Sequence, residues 1–123
     1  MSGAIRIYCA APLHGSGSVD TNVKRALAMG EAVMEAGMIP FVPHLFMFWH
    51  FRHEHPAEYW LAMDKAWLLQ CHFMVRLAGD SPGATLEEGW ADEAGIKWVE
   101  ATSVGHLRPL LPVIRGQLTE GAE

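Results

Sequence analysis

The stretch GDSPGATLEEGWA, residues 79–91, joins a buried strand to a helix and decides the fold. The strand is the short apolar run at residues 73–78. Ser81 is a suitable N-cap for the helix, and Pro82 suits its first position because a missing N–H costs nothing there. Glu87 then lies early in a helix that begins beyond the carboxyl end of a strand, where α/β proteins bind ligands. A helix N-terminus also favours the ionised carboxylate, which is the form that a nucleophile requires.

Strand-like and helix-like patterns alternate outward from this stretch. Apolar runs typical of strands cover residues 4–10, 38–42, 73–78 and 96–101. Helical spacing of apolar residues covers residues 19–36, 57–71, 82–94 and 107–118, and residues 44–56 form an irregular aromatic segment. This order predicts a flavodoxin-like three-layer sandwich, with a mainly parallel sheet of four or five strands and the first strand in its interior. Pro40 predicts that the second strand is an edge strand.

Composition narrows the class of protein. The 123 residues carry a net charge of −5 and show no repeat or linker, so residues 1–123 are predicted to form one domain. No basic stripe is present, which argues against a nucleic-acid polymer as partner. No apolar run approaches the roughly 20 residues of a membrane span. Half of the residues are hydrophobic, which predicts a homodimer or a higher homo-oligomer. Cys9 and Cys71 form no CxxC motif and no secretion signal is evident, so we expect reduced thiols and a cytoplasmic location.

Glu87 is the first candidate for chemistry. It shares one face of the predicted helix with three small residues, Ala84, Ala91 and Ala94. Small residues usually mark the helix face that packs closest to a sheet, so this register points Glu87 into a crevice. Glu88 falls on a more exposed register, and we expect its replacement to be nearly silent. The alternative is that all four acids of this helix, which are Glu87, Glu88, Asp92 and Glu93, are solvated surface charges or partners of the helix dipole.

Asp64 is the second candidate. It lies in the middle of an apolar helical stripe formed by Trp60, Leu61, Trp67 and Leu68. A carboxylate there is costly to bury without a partner. Asp64 therefore either belongs to a site or pairs with a cation, for which the candidates are Arg6, Lys65 and Arg76.

Two further features allow more than one interpretation. Four histidines fall within twelve residues, namely His44, His50, His53 and His55. Their spacing matches no zinc motif, so an aromatic loop that walls a pocket or a subunit interface is favoured over a metal site. The glycines at residues 15 and 17 permit close approach of the backbone to a phosphate or a sugar, but the full dinucleotide-binding fingerprint is missing and a flexible turn is the alternative.

Taken in order, the short motifs of the chain resemble the nucleoside 2-deoxyribosyltransferase superfamily, especially its short members. The motifs that carry the resemblance are IYCAAP at residues 7–12, Asn22 and Ala26, AG and PFVPHL within residues 36–45, Asp64, and SxGAxxExGxA at residues 81–91. The resemblance covers residues 4–100, and its last motif is the most specific.

The resemblance implies cleavage of the N-glycosidic bond of a (deoxy)nucleoside or nucleoside monophosphate. The family's nucleophilic glutamate falls on Glu87, and the aspartate that orients the sugar and assists the leaving base falls on Asp64. Ser81 and Gly83 fall in the loop that holds the phosphate in relatives that hydrolyse deoxynucleoside monophosphates. No cofactor and no metal is implied, and in this family a neighbouring subunit closes the site.

The same resemblance suggests further substrate-binding residues, which are Tyr8, Ala10, Pro12, His14 and His44. The family's site tyrosine falls on Ile7, so Tyr8 is the neighbouring candidate, on the opposite face of the strand. His14 is the polar residue nearest to the position of the relatives' phosphate-binding arginine.

Three functions follow from these observations. The first is an N-glycosidic transferase or hydrolase with Glu87 as nucleophile. The second is a non-catalytic nucleotide-binding or sensing module on the same fold. The third is a metal-dependent hydrolase that uses the histidine cluster. The sequence leaves the base, the sugar, the phosphate requirement and the choice between transfer and hydrolysis open.

Overall fold

The structure is a computed structural model that describes residues 4–13 and 18–121, and its centre is a four-stranded sheet. The strands are β1 (Arg6–Ala10), β2 (Ile39–Phe41), β3 (Phe73–Leu77) and β4 (Trp98–Ala101). Their order is β2-β1-β3-β4, and every pair is parallel. The predicted α/β fold, the interior position of the first strand and the edge position of the second are therefore confirmed.

Helices connect the strands and follow the last one. They are α1 (Val19–Glu35), α2 (Phe46–Arg52), α3 (Ala57–Leu68), α4 (Pro82–Ala94), α5 (Val104–Leu107) and α6 (Leu110–Gly121), with a 3-10 turn at Pro43–Leu45. No helix in the described part of the chain is long and apolar enough to cross a membrane.

The sequence prediction was wrong in two segments. Residues 44–56 are not irregular throughout, because they contain α2. The helix predicted at residues 107–118 is α6, but it begins at Leu110, and Leu107 ends the separate helix α5, because Pro109 has no N–H to continue the hydrogen-bond ladder of α5. Pro112 lies in the first turn of α6, where a backbone N–H needs no partner within the helix.

The two faces of the sheet bury separate cores, which makes the fold a three-layer sandwich. Side chains alternate along β1, so that Ile7 and Cys9 join the core beneath α1, α5 and α6. Tyr8 and Ala10 face the opposite side and pack with residues of α3 and α4. Tyr8 is thereby directed toward the helix that carries Glu87.

The ends of α4 agree with the prediction from its sequence. The Ser81 hydroxyl accepts a hydrogen bond from the Ala84 N–H at 3.1 Å, and Pro82 is the first helical residue. Gly95 ends the helix with a φ of 73°, a left-handed conformation that favours glycine. Helix α4 thus begins just beyond the carboxyl end of β3. In the order β2-β1-β3-β4, the direction in which the chain adds strands reverses between β1 and β3. Open α/β sheets bind ligands at the carboxyl ends of the two strands that flank such a reversal.

Candidate functional site

A cleft of about 280 Å³ lies at the carboxyl ends of β1 and β3. Its polar lining comes from His44, Asp64, Ser81 and Glu87, and its apolar lining includes Leu13, Pro43 and Leu61. Both candidate carboxylates therefore line one cleft, although one comes from α3 and the other from α4. Gly83 and Ala84 complete the wall at the start of α4.

Glu87 is hydrogen-bonded to Tyr8, which lies on β1. The Tyr8 hydroxyl donates a hydrogen bond to Glu87 Oε2. Tyr8 is fully buried and Glu87 is only 7% exposed. As predicted, Glu87 shares its helix face with the buried Ala84 and Ala91, whereas Ala94 at the end of the helix is exposed. Tyr8 thus contacts the candidate nucleophile rather than the open cleft.

Asp64 lies in the cleft, and no described cation forms an ion pair with it. Its Oδ1 atom is buried and has no hydrogen-bond partner within the part of the chain that the structure describes. The three expected cations are engaged elsewhere. Arg6 donates to the Gln70 carbonyl at 2.6 Å, Arg76 pairs with Glu88, and the Lys65 ammonium lies 5.7 Å from the centre of the Trp90 ring. Among the described residues, the interpretation of Asp64 as half of a structural ion pair therefore fails.

Burial raises the pKa of both carboxyls, and neighbouring groups oppose that rise only for Glu87. Burial raises the pKa of Glu87 to about 7, while the Tyr8 hydrogen bond and the charge of Arg76 act in the opposite direction and favour the carboxylate. Burial, and then the charge of Glu87, raise the pKa of Asp64 to about 7 with nothing to oppose them. Burial also raises the pKa of Tyr8, so its hydroxyl stays a donor. Near neutral pH the coupled pair can therefore share one proton.

Glu88 does not face solvent as its register predicted. Its carboxylate accepts a hydrogen bond from Arg76 Nη1 at 2.7 Å, and the Arg76 and Glu88 side chains are 8% and 18% exposed. The helical pattern alone placed Glu88 outward because it carries no information about the arginine at the end of β3. The ion pair gives a physical reason to doubt that replacing Glu88 is silent, and the effect on activity stays a prediction.

The remaining predicted substrate-binding residues fall into three groups. Ala10 is fully buried in the sheet, and the next residue, Ala11, lines the cleft in its place. The Pro12 carbonyl accepts a hydrogen bond at 3.1 Å from Nε2 of His44, which lines the cleft. His14 and both loop glycines lie outside the described residues. Sequence reasoning missed Leu61 and Leu13 as lining residues.

Asn22 also escaped a functional assignment, although it appeared among the motifs. Its side-chain amide donates a hydrogen bond to the Leu13 carbonyl at 2.9 Å, and its own side chain is buried. This contact anchors the segment that leaves β1 and forms one rim of the cleft. The sequence signal that could have identified this contact was an asparagine in the first turn of the predicted helix, on its apolar face.

His50 and His55 belong to an aromatic cluster between α2 and α3, whereas His53 is exposed. The Trp60 indole N–H donates to His50 Nδ1 at 2.8 Å, and the His55 ring stacks on Tyr59. Phe46 and Trp49 of α2 pack on the same Trp60 ring. Within residues 4–13 and 18–121, no three His, Cys, Asp or Glu side chains come together as metal ligands.

Comparison with known families places the chain. A family model described as "Domain of unknown function (DUF7768)" matches residues 5–101. The chain belongs to the DUF7768 family. No curated protein matches its sequence. The span that matches DUF7768 runs from the start of β1 to the end of β4, so it contains Tyr8, Asp64, Arg76 and Glu87 and leaves α5 and α6 outside.

The cleft combines a buried carboxyl, Glu87, that accepts a hydrogen bond from Tyr8 with a second carboxyl, Asp64, whose Oδ1 has no hydrogen-bond partner among the described residues. Such a pair can supply a nucleophile and a general acid in one cleft. The described lining contains no lysine or arginine, so the cleft is suited to a transition state that develops positive charge.

Proposed function

We propose that this DUF7768 protein cleaves or transfers the N-glycosidic bond of a (deoxy)nucleoside or nucleoside monophosphate through Glu87. The observation that carries the proposal is the pair of unlike carboxyls in one cleft. Tyr8 donates a hydrogen bond to Glu87, which favours its ionised form, and Asp64 Oδ1 has no hydrogen-bond partner among the described residues. The resemblance of the SxGAxxExGxA motif to nucleoside 2-deoxyribosyltransferases supplies the class of substrate.

In the first step, a Glu87 carboxylate oxygen attacks the anomeric carbon of the sugar. The bond between that carbon and the base nitrogen breaks, and its electron pair leaves with the base. Asp64 gives its proton to the departing base and becomes a carboxylate. The transition state resembles an oxocarbenium ion, so two nearby carboxyl groups stabilise its developing positive charge.

In the second step, the glycosyl ester on Glu87 is resolved. Water attacks the anomeric carbon, its proton passes to Asp64, and the ester bond breaks to restore the Glu87 carboxylate. When a second base attacks instead, its N–H proton passes to Asp64 and a new nucleoside forms. Either route returns both carboxyls to their starting protonation states.

The dimensions of the cleft support a ligand of this class. Its volume of about 280 Å³ is near the lower end of the range for small-molecule sites, roughly 300–1,000 Å³. Its apolar wall, which includes Leu13, Pro43 and Leu61, is suited to a base, while the carboxyls and Ser81 are suited to a sugar.

The test is release of free base from a panel of ribo- and deoxynucleosides and their 5′-monophosphates, followed by chromatography. We expect release from at least one member, loss of release in Glu87→Ala, and full release in Glu93→Gln, a matched control at an exposed position of the same helix. Incubation with a 2′-fluoro nucleoside, which slows breakdown of the ester, should add the mass of the sugar to the peptide containing Glu87.

The runner-up is a module that binds nucleotides without chemistry. It predicts saturable binding of a panel member, measured by calorimetry, with no base released and no covalent adduct. That combination of results would contradict the proposed reaction and favour the module.

A further inference from the structure

We infer that Arg76 is a positioning residue for the Glu87 carboxylate, because its guanidinium ties α4 both to the end of β3 and to the turn that precedes the helix. The inference rests on the proposed function, in which Glu87 attacks the sugar. Arg76 itself does not line the cleft, so it acts through the backbone and side chains that it holds.

The two ends of the guanidinium make different contacts. Nη1 donates to Glu88 Oε2 at 2.7 Å, and Nη2 donates to the Gly79 carbonyl at 2.8 Å. The Nε atom is buried with no hydrogen-bond partner among the residues that the structure describes. Arg76 is 6% exposed, so both contacts are largely shielded from water.

These contacts fix both the start and the rotation of α4. Gly79 has a φ of 142°, a backbone conformation that favours glycine, and it leads directly to the Ser81 cap. Glu88 follows Glu87 along the helix, so tethering Glu88 to β3 sets the rotation of α4 about its axis. That rotation directs Glu87 toward Tyr8 and the cleft.

The ion pair is a poor stabiliser for its position. Replacing a buried ion pair by well-packed apolar residues is often neutral or stabilising, because taking two charges out of water costs about as much as their attraction returns. A leucine at the Arg76 position would extend the apolar face of β3, whose five residues are all buried. The arginine therefore needs a reason besides stability, and the geometry of Glu87 provides one.

The charged and titratable groups around Glu87 come from five elements. Tyr8 faces it from β1, Asp64 from α3 and Arg76 from β3, while Glu88 lies beside it on α4; His44, on the 3-10 turn, lines the same cleft. Arg76 contributes the positive charge that lowers the pKa of Glu87, and Glu88 partly offsets that charge.

The experiment follows the Glu87 carboxyl carbon by NMR in the full chain labelled with ¹³C-glutamate, with Glu87→Gln used to assign the signal. In Glu88→Gln, the charge of Arg76 loses its counter-ion, so the titration midpoint of Glu87 should fall. In Arg76→Met/Glu88→Gln, both charges are absent and no buried charge is left unpaired, so the midpoint should rise by about one pH unit. Asp20→Asn/Lys24→Met, which removes an exposed ion pair on α1, should leave it unchanged.

The kinetic readout is the split between kcat and KM on the substrate found by the base-release panel. Arg76→Met/Glu88→Gln should lower kcat on the order of 10- to 100-fold with little change in KM, as expected for a displaced nucleophile. Arg76→Lys keeps the charge but not the two-ended contact, so its midpoint should stay near that of the wild type while kcat still falls.

A titration midpoint of Glu87 that falls in Glu88→Gln and rises in Arg76→Met/Glu88→Gln supports the inference. An unmoved midpoint in both, in chains that fold as the wild type does, overturns it. The titration needs no substrate, so failure of the proposed function is seen separately, as a wild-type chain that releases no base. Normal kcat in the double variant of a wild-type chain that does release base overturns the inference alone.

Discussion

Replacing Glu87 by glutamine should abolish base release and, at the same time, make the protein more stable at alkaline pH. Glutamine keeps the size of the side chain and an oxygen that can accept the Tyr8 hydrogen bond, but it removes the charge. The substitution therefore separates the chemistry of the carboxylate from its packing.

The sign and size of the stability change follow from the pKa of Glu87, which burial raises from its ordinary value of 4.5 to about 7. Between these values the folded chain binds more protons than the unfolded chain, so the free energy of unfolding falls as the pH rises. At 1.36 kcal/mol for each pH unit, the full cost of ionising Glu87 in the folded state is at most about 3.4 kcal/mol. We expect Glu87→Gln to raise the free energy of unfolding by about 2 kcal/mol at pH 8. The gain is smaller than the full cost because the ionisation of Glu87 is coupled to that of Asp64.

The assay is urea unfolding of the wild type and of Glu87→Gln at pH 8 and pH 5. The gain should shrink to less than about 1 kcal/mol at pH 5, where the wild-type carboxyl is already protonated in the folded state. Glu93→Gln is the control, since its position on α4 is exposed. Equal gains at both pH values, or a less stable variant at pH 8, would refute the claim that Glu87 is a strained buried carboxylate.

Three further predictions concern the site and its surroundings. Tyr8→Phe removes the donor to Glu87, so the pKa of Glu87 should rise and kcat/KM at pH 7 should fall by about tenfold, with the acidic limb of the pH–rate profile moving to higher pH; an unchanged profile would show that the contact is idle. Asp64→Asn should lower the release of an ordinary base by roughly 10²- to 10⁴-fold. The loss should be much smaller for a substrate whose leaving group departs as a stable anion, because that group needs no proton. Equal losses on the two kinds of substrate would exclude Asp64 as the general acid. A homodimer or larger assembly is favoured by four exposed aromatic rings, those of Phe48, Trp49, Phe51 and Tyr59. Light scattering at micromolar concentration should detect this assembly, and Phe48→Ser/Phe51→Ser should weaken it. A monomeric wild type would contradict the prediction.

The fold was predictable from sequence because its signals are local. Each strand of the parallel sheet is a short apolar run, and α4 carries its own start and stop signals in Ser81, Pro82 and Gly95. Helix α2 was missed because aromatic side chains occupy all of its faces. Phe46 and Trp49 contact Trp60, although Trp49 is also partly exposed, while Phe48 and Phe51 are exposed, so the sequence shows no apolar stripe.

The candidate site was predictable only in part, because its decisive properties belong to pairs of residues. The register of α4 suggested that Glu87 points inward, and the stripe around Asp64 marked that carboxyl as unusual. Neither pattern shows that Tyr8 reaches Glu87 from β1, since the contact joins residues 79 positions apart in the chain. The ion pair between Arg76 and Glu88 escaped prediction for the same reason.

The unpaired polar atoms of the described chain point to the same edge of the sheet. The buried side-chain atoms without a hydrogen-bond partner there are Asn22 Oδ1, Asp64 Oδ1 and Arg76 Nε. Asn22 holds the Leu13 rim of the cleft, Asp64 lines the cleft, and Arg76 anchors the turn that leads to Ser81. Each orphaned group costs stability, and a fold selected for stability alone would disperse or remove such groups. A ligand hydroxyl that donates a hydrogen bond to Asp64 would satisfy one of these atoms. Binding of such a ligand would therefore raise the free energy of unfolding. The concentration of this cost around one cleft is the physical reason to regard the cleft as the functional site rather than as a fault in packing.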